Sequence, residues 1–237
     1  MFKKTKKFIR NMLLSMKSPP TSLSFSQCGE DVILRWLFND KKMKKISYLD
    51  IGANSPDCDN NTFLFYSSGS RGVCVEANKA LIPKLKKVRS KDKILNLGVS
   101  ISDEKDADFF VFDAAGISTF DKEEAGKRIA SGRYHIVETI KIPLIFINRL
   151  IKEYFSSVPD LLSLDIEGLD LAVLKSLNLD ALPIPVICVE TCTYSENHIR
   201  PKDTEIIQYL LGEGYEVYAD TYINTIFVNS KWFNTLS

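Results

Sequence analysis

GYEVYAD (214–220) and NTIFVNS (224–230) decide the fold. Both runs alternate apolar and polar residues or are rich in β-branched and aromatic ones, so both read as strands. Only Thr221, Tyr222 and Ile223 separate them. A parallel crossover needs about a dozen residues or more, so this pair is antiparallel. Upstream, the pattern differs. KKISYLDIG (44–52), RGVCVEAN (71–78), KILNLGVS (93–100), DLLSLDIEG (160–168) and PVICVET (185–191) are buried-strand runs. Helical patterns at 29–38, 61–69, 79–89, 146–156, 169–178 and 202–212 alternate with them. Alternating strands and helices argue for a mostly parallel sheet covered on both faces. The whole is then a parallel α/β sheet that finishes in an antiparallel hairpin. Nicotinamide-binding domains generally stay parallel, and this one does not.

One stretch falls outside the simple repeat. DADFFVFD (106–113) alternates as a strand, 121–132 has a helical pattern, and a further strand is expected at 136–142. Residues 106–142 therefore read as an insertion, with a Ser118-Thr119 turn and Tyr134-His135, forming one wall of an acceptor pocket.

At 237 residues, 45% hydrophobic and 26% charged, the chain suits one globular α/β domain and not a fibrous or disordered one. Its net charge of +1 is unevenly placed. Residues 1–29 carry Lys3, Lys4, Lys6, Lys7, Arg10 and Lys17 and no acid, leaving 25 basic and 30 acidic residues elsewhere. The body is acidic, which argues against a nucleic-acid partner. Residues 2–17 read as a basic amphipathic helix with Ile9, Met12, Leu13 and Met16 on one face. Ser18-Pro19-Pro20 ends it. Residues 1–20 are thus a leader and linker, 21–237 the domain. The leader's readings are a solubilising segment, a helix docked on the body, or residues 1–18 lying on an anionic membrane surface. The five cysteines form no CxxC pair, and two histidines make no zinc-finger spacing. No apolar run reaches the ~18–20 residues of a membrane span. These features predict a reduced, cytoplasmic protein, peripheral at most to the inner membrane face.

In open α/β sheets ligands bind beyond the carboxyl ends of the strands. Four strands finish there on an acid: Asp50, Glu76, Asp165 and Glu190. Buried carboxylates are costly without partners, so the set points to a ligand site. Gly52 opens the first turn, but Ala53, Asn54, Ser55 and Pro56 follow it, so the second and third glycines of a dinucleotide cradle are missing. Glu76, 26 residues after Asp50, stands where an acid accepts both ribose hydroxyls of an adenosine.

SQCGED (26–31), YLDIGANSPDCDNNTFLFY (48–66), GVCVEAN (72–78) and SLDIEGLDLAVLKSL (163–177) together resemble the FkbM-type S-adenosylmethionine-dependent methyltransferases, over about residues 25–230. The resemblance implies a class I methyltransferase fold, a Rossmann-like seven-stranded sheet with an antiparallel seventh strand. It implies O-methylation of a hydroxyl on a glycan, a sugar precursor or a secondary metabolite. It also implies roles. Asp50, Gly52 and Asn54 line the methionine part of S-adenosyl-L-methionine. Glu76 holds the ribose with Asn78 nearby, and Val99 and Ser100 flank the adenine. Gln27, Glu30 and Asp31 cover the site from a leading helix. Asp165 faces the methionine amine or the acceptor.

Methyl transfer to a hydroxyl is helped by a base or a metal. Asp165, Glu167, Glu190 and His198 are the candidates. Asp165 and Glu190 end neighbouring strands and could hold a divalent ion, for which Mg2+ suits oxygen-only ligands. Two other classes stand beside this one: a non-catalytic, membrane-linked module on the same fold, and a nicotinamide-dependent oxidoreductase.

Overall fold

The computed structural model describes residues 23–102, 104–192 and 202–235. In chain order the elements are α1 (Glu30–Asp40), β1 (Ser47–Ile51), α2 (Phe63–Ser67), β2 (Arg71–Val75), α3 (Ile82–Val88), β3 (Lys93–Leu95), β4 (Gly98–Ser100) and β5 (Asp106–Phe112). They continue with a 3-10 turn (Ala115–Ile117), α4 (Lys122–Ala130), β6 (Ile136–Phe146), α5 (Ile147–Tyr154), β7 (Leu161–Leu164), α6 (Asp170–Ser176) and β8 (Val186–Glu190). The chain then forms α7 (Thr204–Gly212), β9 (Tyr215–Asp220), β10 (Asn224–Asn229) and α8 (Ser230–Phe233).

Seven strands make the main sheet in the order β3-β2-β1-β7-β8-β10-β9. β3, β2, β1, β7 and β8 are mutually parallel, and β10 is antiparallel to both β8 and β9. The three-residue link between β9 and β10 does enforce the hairpin. The central strands β1, β2, β7 and β8 are short and mostly apolar on both faces, as a sheet covered by helices requires. Leu49, Ile51, Leu162, Leu164, Ile187 and Val189 pack on one face against α5, α6 and α7. Tyr48, Cys74, Leu161, Val186 and Cys188 pack on the other against α1, α2 and α3.

One strand expectation needs correction. KILNLGVS is two strands, not one: β3 stays in the main sheet, while β4 leaves it to pair with β6. The break falls at Asn96, whose side-chain amide donates to the carbonyls of Glu76 and Ala77 at 2.9 Å each and so turns the chain. β4, β6 and β5 form a second sheet, built largely from the insertion. β6 is longer than expected, running to Phe146 before α5 begins. No helix among the described residues is long and apolar enough to cross a membrane. The leader expected at 1–20 lies outside the described residues.

Candidate active site

The first β–α turn is pressed against the end of β7. Gly52 has φ +81°, and a Cβ there would sit 1.8 Å from the carbonyl oxygen of Asp165. Only glycine fits, both for the conformation and for the close approach. The amides of Gly52 and Ala53 donate to the Val75 carbonyl at 3.0 and 3.1 Å, and the Asp165 amide to the Ile51 carbonyl at 3.1 Å. Three strand ends are thereby locked together as a floor. Above it lies a cavity of about 350 Å3.

Glu76, one residue beyond β2, ties two loops over this cavity. One carboxylate oxygen accepts from the Asn54 amide at 2.8 Å and the other from the Asn78 amide at 2.7 Å. A carboxylate has about four acceptor positions, so two remain for a ligand. Burial raises the Glu76 pKa and the two amides pull it back. Gln27, Gly52, Asn54, Glu76, Val99, Asp165 and Glu190 all line the cavity. Leu97, Val99, Phe109 and Phe120 supply apolar wall, the two phenylalanine rings 4.6 Å apart between centroids.

Asp165 and Glu190 stand side by side, because β7 and β8 are paired in register with Leu164 opposite Val189. Carboxylate oxygens of Asp165, Glu167 and Glu190 come within 4.8 Å of one another. Burial, then the charges of Glu190 and Glu167, push the Asp165 carboxyl well above its ordinary range. Two such acids share a proton instead of ionising together. Glu167 is held in the left-handed region, φ +58°, by a partner in the insertion. The Arg128 guanidinium of α4 donates from Nη2 to Glu167 Oε2 at 2.5 Å and from Nη1 to the Ile117 carbonyl. Asp170 then closes the turn by accepting from the Ile166 and Gly168 amides at 3.1 and 3.3 Å, with burial moving its pKa up to about 6.

Five expected site residues are placed differently. Asp50 does not line the cavity. It is part of β1 and shares the face of Tyr48, where Thr62 Oγ1 donates to it at 2.6 Å, Asn60 Nδ2 at 3.2 Å, and the buried Arg89 lies 3.6 Å away. Its work is to hold the loop after Gly52, since the same Asn60 amide group also donates to the Ala53 carbonyl. Asn78 is buried beside the cavity, its side-chain oxygen accepting from the Ala80 amide. Ser100 Oγ donates to the Ser102 carbonyl at 2.7 Å, away from the wall. Of the three candidates expected on the leading helix only Gln27 reaches the cavity, and it stands in the turn before α1, which begins at Glu30. Glu30 accepts from Thr221, Asn224 and the Cys28 amide, and Asp31 from Ser24, Ser26 and the Phe25 amide. His198 lies outside the described residues.

The strand order, with one antiparallel strand inserted beside the edge, and an acid-rimmed cavity at the parallel strands' carboxyl ends define a class I, S-adenosylmethionine-dependent methyltransferase. The Methyltransferase FkbM domain family matches residues 50–217. More than half of the chain is covered, and the chain belongs to that family. No curated protein matches the sequence. Similar solved structures include a TehB-like SAM-dependent methyltransferase of Corynebacterium glutamicum, at 9% identity over 96% of this chain and 97% of that one, TM-score 0.43. Another is an O-methyltransferase of Bacillus cereus in complex with SAH, at 11% identity over 94% and 89%, TM-score 0.42. A third is a magnesium protoporphyrin IX methyltransferase of Synechocystis with bound SAM, at 10% identity over 84% and 76%, TM-score 0.43.

Proposed function

We propose that the protein is an O-methyltransferase acting on a hydroxyl of a glycan, a sugar precursor or a secondary metabolite. The observation that carries the reading is the charge of the cavity wall. Asp59, Glu76, Asp165, Glu167 and Glu190 line it, and among its described residues there is no Lys, Arg or His. Such a wall suits a ligand with a sulfonium and an ammonium group. It repels the pyrophosphate of a nicotinamide dinucleotide.

The residues present fit S-adenosylmethionine. Glu76 has two acceptor positions left for the ribose hydroxyls. Leu97, Val99 and Phe109 offer an apolar slot for the adenine, and Gly52 and Asn54 border the methionine part. Bound there, the cofactor supplies an electrophilic methyl group on a positively charged sulfur. The chain's own residues do the rest: they align the acceptor, exclude water and take up its proton. The Asp165–Glu190 pair is the proton acceptor in this reading. The same pair with Glu167 is an oxygen-only set of the kind Mg2+ takes, and loss of activity in EDTA with recovery in Mg2+ would make it a metal site. The insertion at 106–142 supplies acceptor-side wall through Gly116, Ile117 and Ser118.

The test is binding followed by transfer. S-adenosylhomocysteine should raise the melting temperature and NAD(P) should not. Methyl-labelled S-adenosylmethionine, incubated with fractionated glycans, lipids and small metabolites, should label an acceptor oxygen. Stabilisation by NAD(P) alone would sink the proposal.

A further inference from the structure

A second cavity, of about 270 Å3, abuts the first. Ile117, Glu167 and Glu190 line both, so the carboxylates that border the cofactor on one side face the second cavity on the other. We propose that this second cavity is the acceptor subsite, and that it admits an uncharged, hydroxyl-bearing acceptor and refuses an anionic one. The proposal rests on the methyltransferase reading of the first cavity.

The position follows from the shared wall. A group held in the second cavity reaches the first past Glu190, where the proton-accepting pair stands. The wall is amphipathic in the way a polyhydroxylated ring needs. Leu171, Ile206 and Tyr134 give it apolar and aromatic surface, and Glu124, Glu190 and Asp203 give it acceptors. Ionised carboxylates only accept hydrogen bonds, so they complement hydroxyl donors.

Among the described residues, the wall offers an anion little to bind. Among the described residues of the wall the one cation is Arg128, and it is turned into the protein. It is buried, its two terminal nitrogens serve Glu167 and the Ile117 carbonyl, and its Nε makes no hydrogen bond. The backbone donors that a phosphate would seek are already taken. Asp203 caps α7, accepting from the Glu205 and Ile206 amides at 2.9 and 3.2 Å. Asp170 takes the Ile166 and Gly168 amides in the same way. Among the described residues, and apart from the Tyr134 hydroxyl and the Cys192 thiol, an anion would meet like charges and acceptors. An amine would be held among these acids as ammonium, with no lone pair to attack. In the transfer, the acceptor oxygen bonds to the methyl carbon as the sulfur–carbon bond breaks and its electron pair stays on sulfur. The hydroxyl proton goes to the ionised member of the Asp165–Glu190 pair.

The experiment uses the full chain, methyl-labelled S-adenosylmethionine and the small-molecule fraction of a cell extract, with products separated by charge. Label should appear in the neutral fraction. Leu171→Trp fills the cavity from a half-buried helix position. It should lower that labelling at least about tenfold, while S-adenosylhomocysteine affinity by calorimetry stays within about twofold. Tyr134→Ala, a milder change, should lower labelling in the same direction if the Trp variant does not fold. Label chiefly in the anionic or cationic fraction overturns the charge assignment. Wild-type labelling by a folded variant overturns the site. No label in any fraction, with S-adenosylhomocysteine bound, overturns a small uncharged acceptor. Failure to bind S-adenosylhomocysteine at all would instead remove the reading of the first cavity.

Discussion

Replacing Glu76 with Ala tests the cofactor site and the loop architecture in one variant. Glu76 accepts two backbone amides, from Asn54 at 2.8 Å and Asn78 at 2.7 Å, and is itself buried. Each amide left without a partner costs about 1–3 kcal/mol. Water can enter from the cavity, so the lower half of that range applies, about 2–4 kcal/mol for the two. At about 2–4 °C per kcal/mol for a domain of this size, the melting temperature should fall by roughly 5–15 °C. Binding should suffer separately, because the two acceptor positions offered to the ribose vanish with the carboxylate. Losing charge-assisted hydrogen bonds of this kind costs about 1.5–3 kcal/mol, or about 10- to 150-fold in affinity for S-adenosylhomocysteine. Glu76→Gln should be nearly as damaging, since its NH2 group would face one of the two amides, donor against donor. Calorimetry and thermal melting, each with and without S-adenosylhomocysteine, read the two effects. Unchanged affinity removes Glu76 from the ribose role. An unchanged melting temperature refutes the claim that it ties the two loops.

Asp165→Asn should leave the fold and most cofactor affinity intact while lowering turnover of an identified acceptor by roughly 10²-fold or more, the scale for losing a general base; normal turnover would reassign the base. Glu190→Gln tests the coupling by pH. Burial first and Glu190 second raise the Asp165 pKa, so removing the Glu190 charge lets Asp165 ionise at lower pH. The rising limb of the turnover–pH profile should therefore move to lower pH, and a shift to higher pH would contradict the shared-proton account. Deleting residues 1–18 should leave the melting temperature nearly unchanged and abolish sedimentation with anionic vesicles. A large fall in melting temperature would mean instead that the leader docks on the domain.

The antiparallel hairpin was legible because chain length alone enforces it: three residues cannot carry a strand back to the same end of a sheet. The acids at the strand ends were legible as a set but not one by one. Glu76 follows the last residue of β2 and Asp165 the last of β7, and both reach the cavity. Asp50 lies one residue inside β1, and the period of two sends its side chain to the face of Tyr48. Parity does not separate it from the others, since its neighbours Cys74, Ser163 and Cys188 put Glu76, Asp165 and Glu190 on the same side; what separates it is depth, one residue short of the strand's end. The split of KILNLGVS had a weaker signal. An Asn in an apolar run marks a break only once its carbonyl partners, Glu76 and Ala77, are known.

Arg128 had no signal at all. In KEEAGKRIA it reads as one more charge on a polar helix, and its partner Glu167 is 39 residues away. Only the tertiary fold brings the insertion against the DIEG turn. That contact is what makes the acidic wall tolerable. Three carboxylates within 4.8 Å repel one another, and a bare cluster would distort or take up protons. Here Arg128 compensates Glu167 from outside the first cavity, and Asp165 and Glu190 share a proton between them. The remaining negative charge is left facing two cavities. In the proposed reading, it meets on one side a cofactor that is itself a cation, and on the other an acceptor that must surrender a proton. In that reading the insertion does more than wall the pocket: by holding Glu167 aside through Arg128, it leaves the Asp165–Glu190 pair as the group standing between the two ligands.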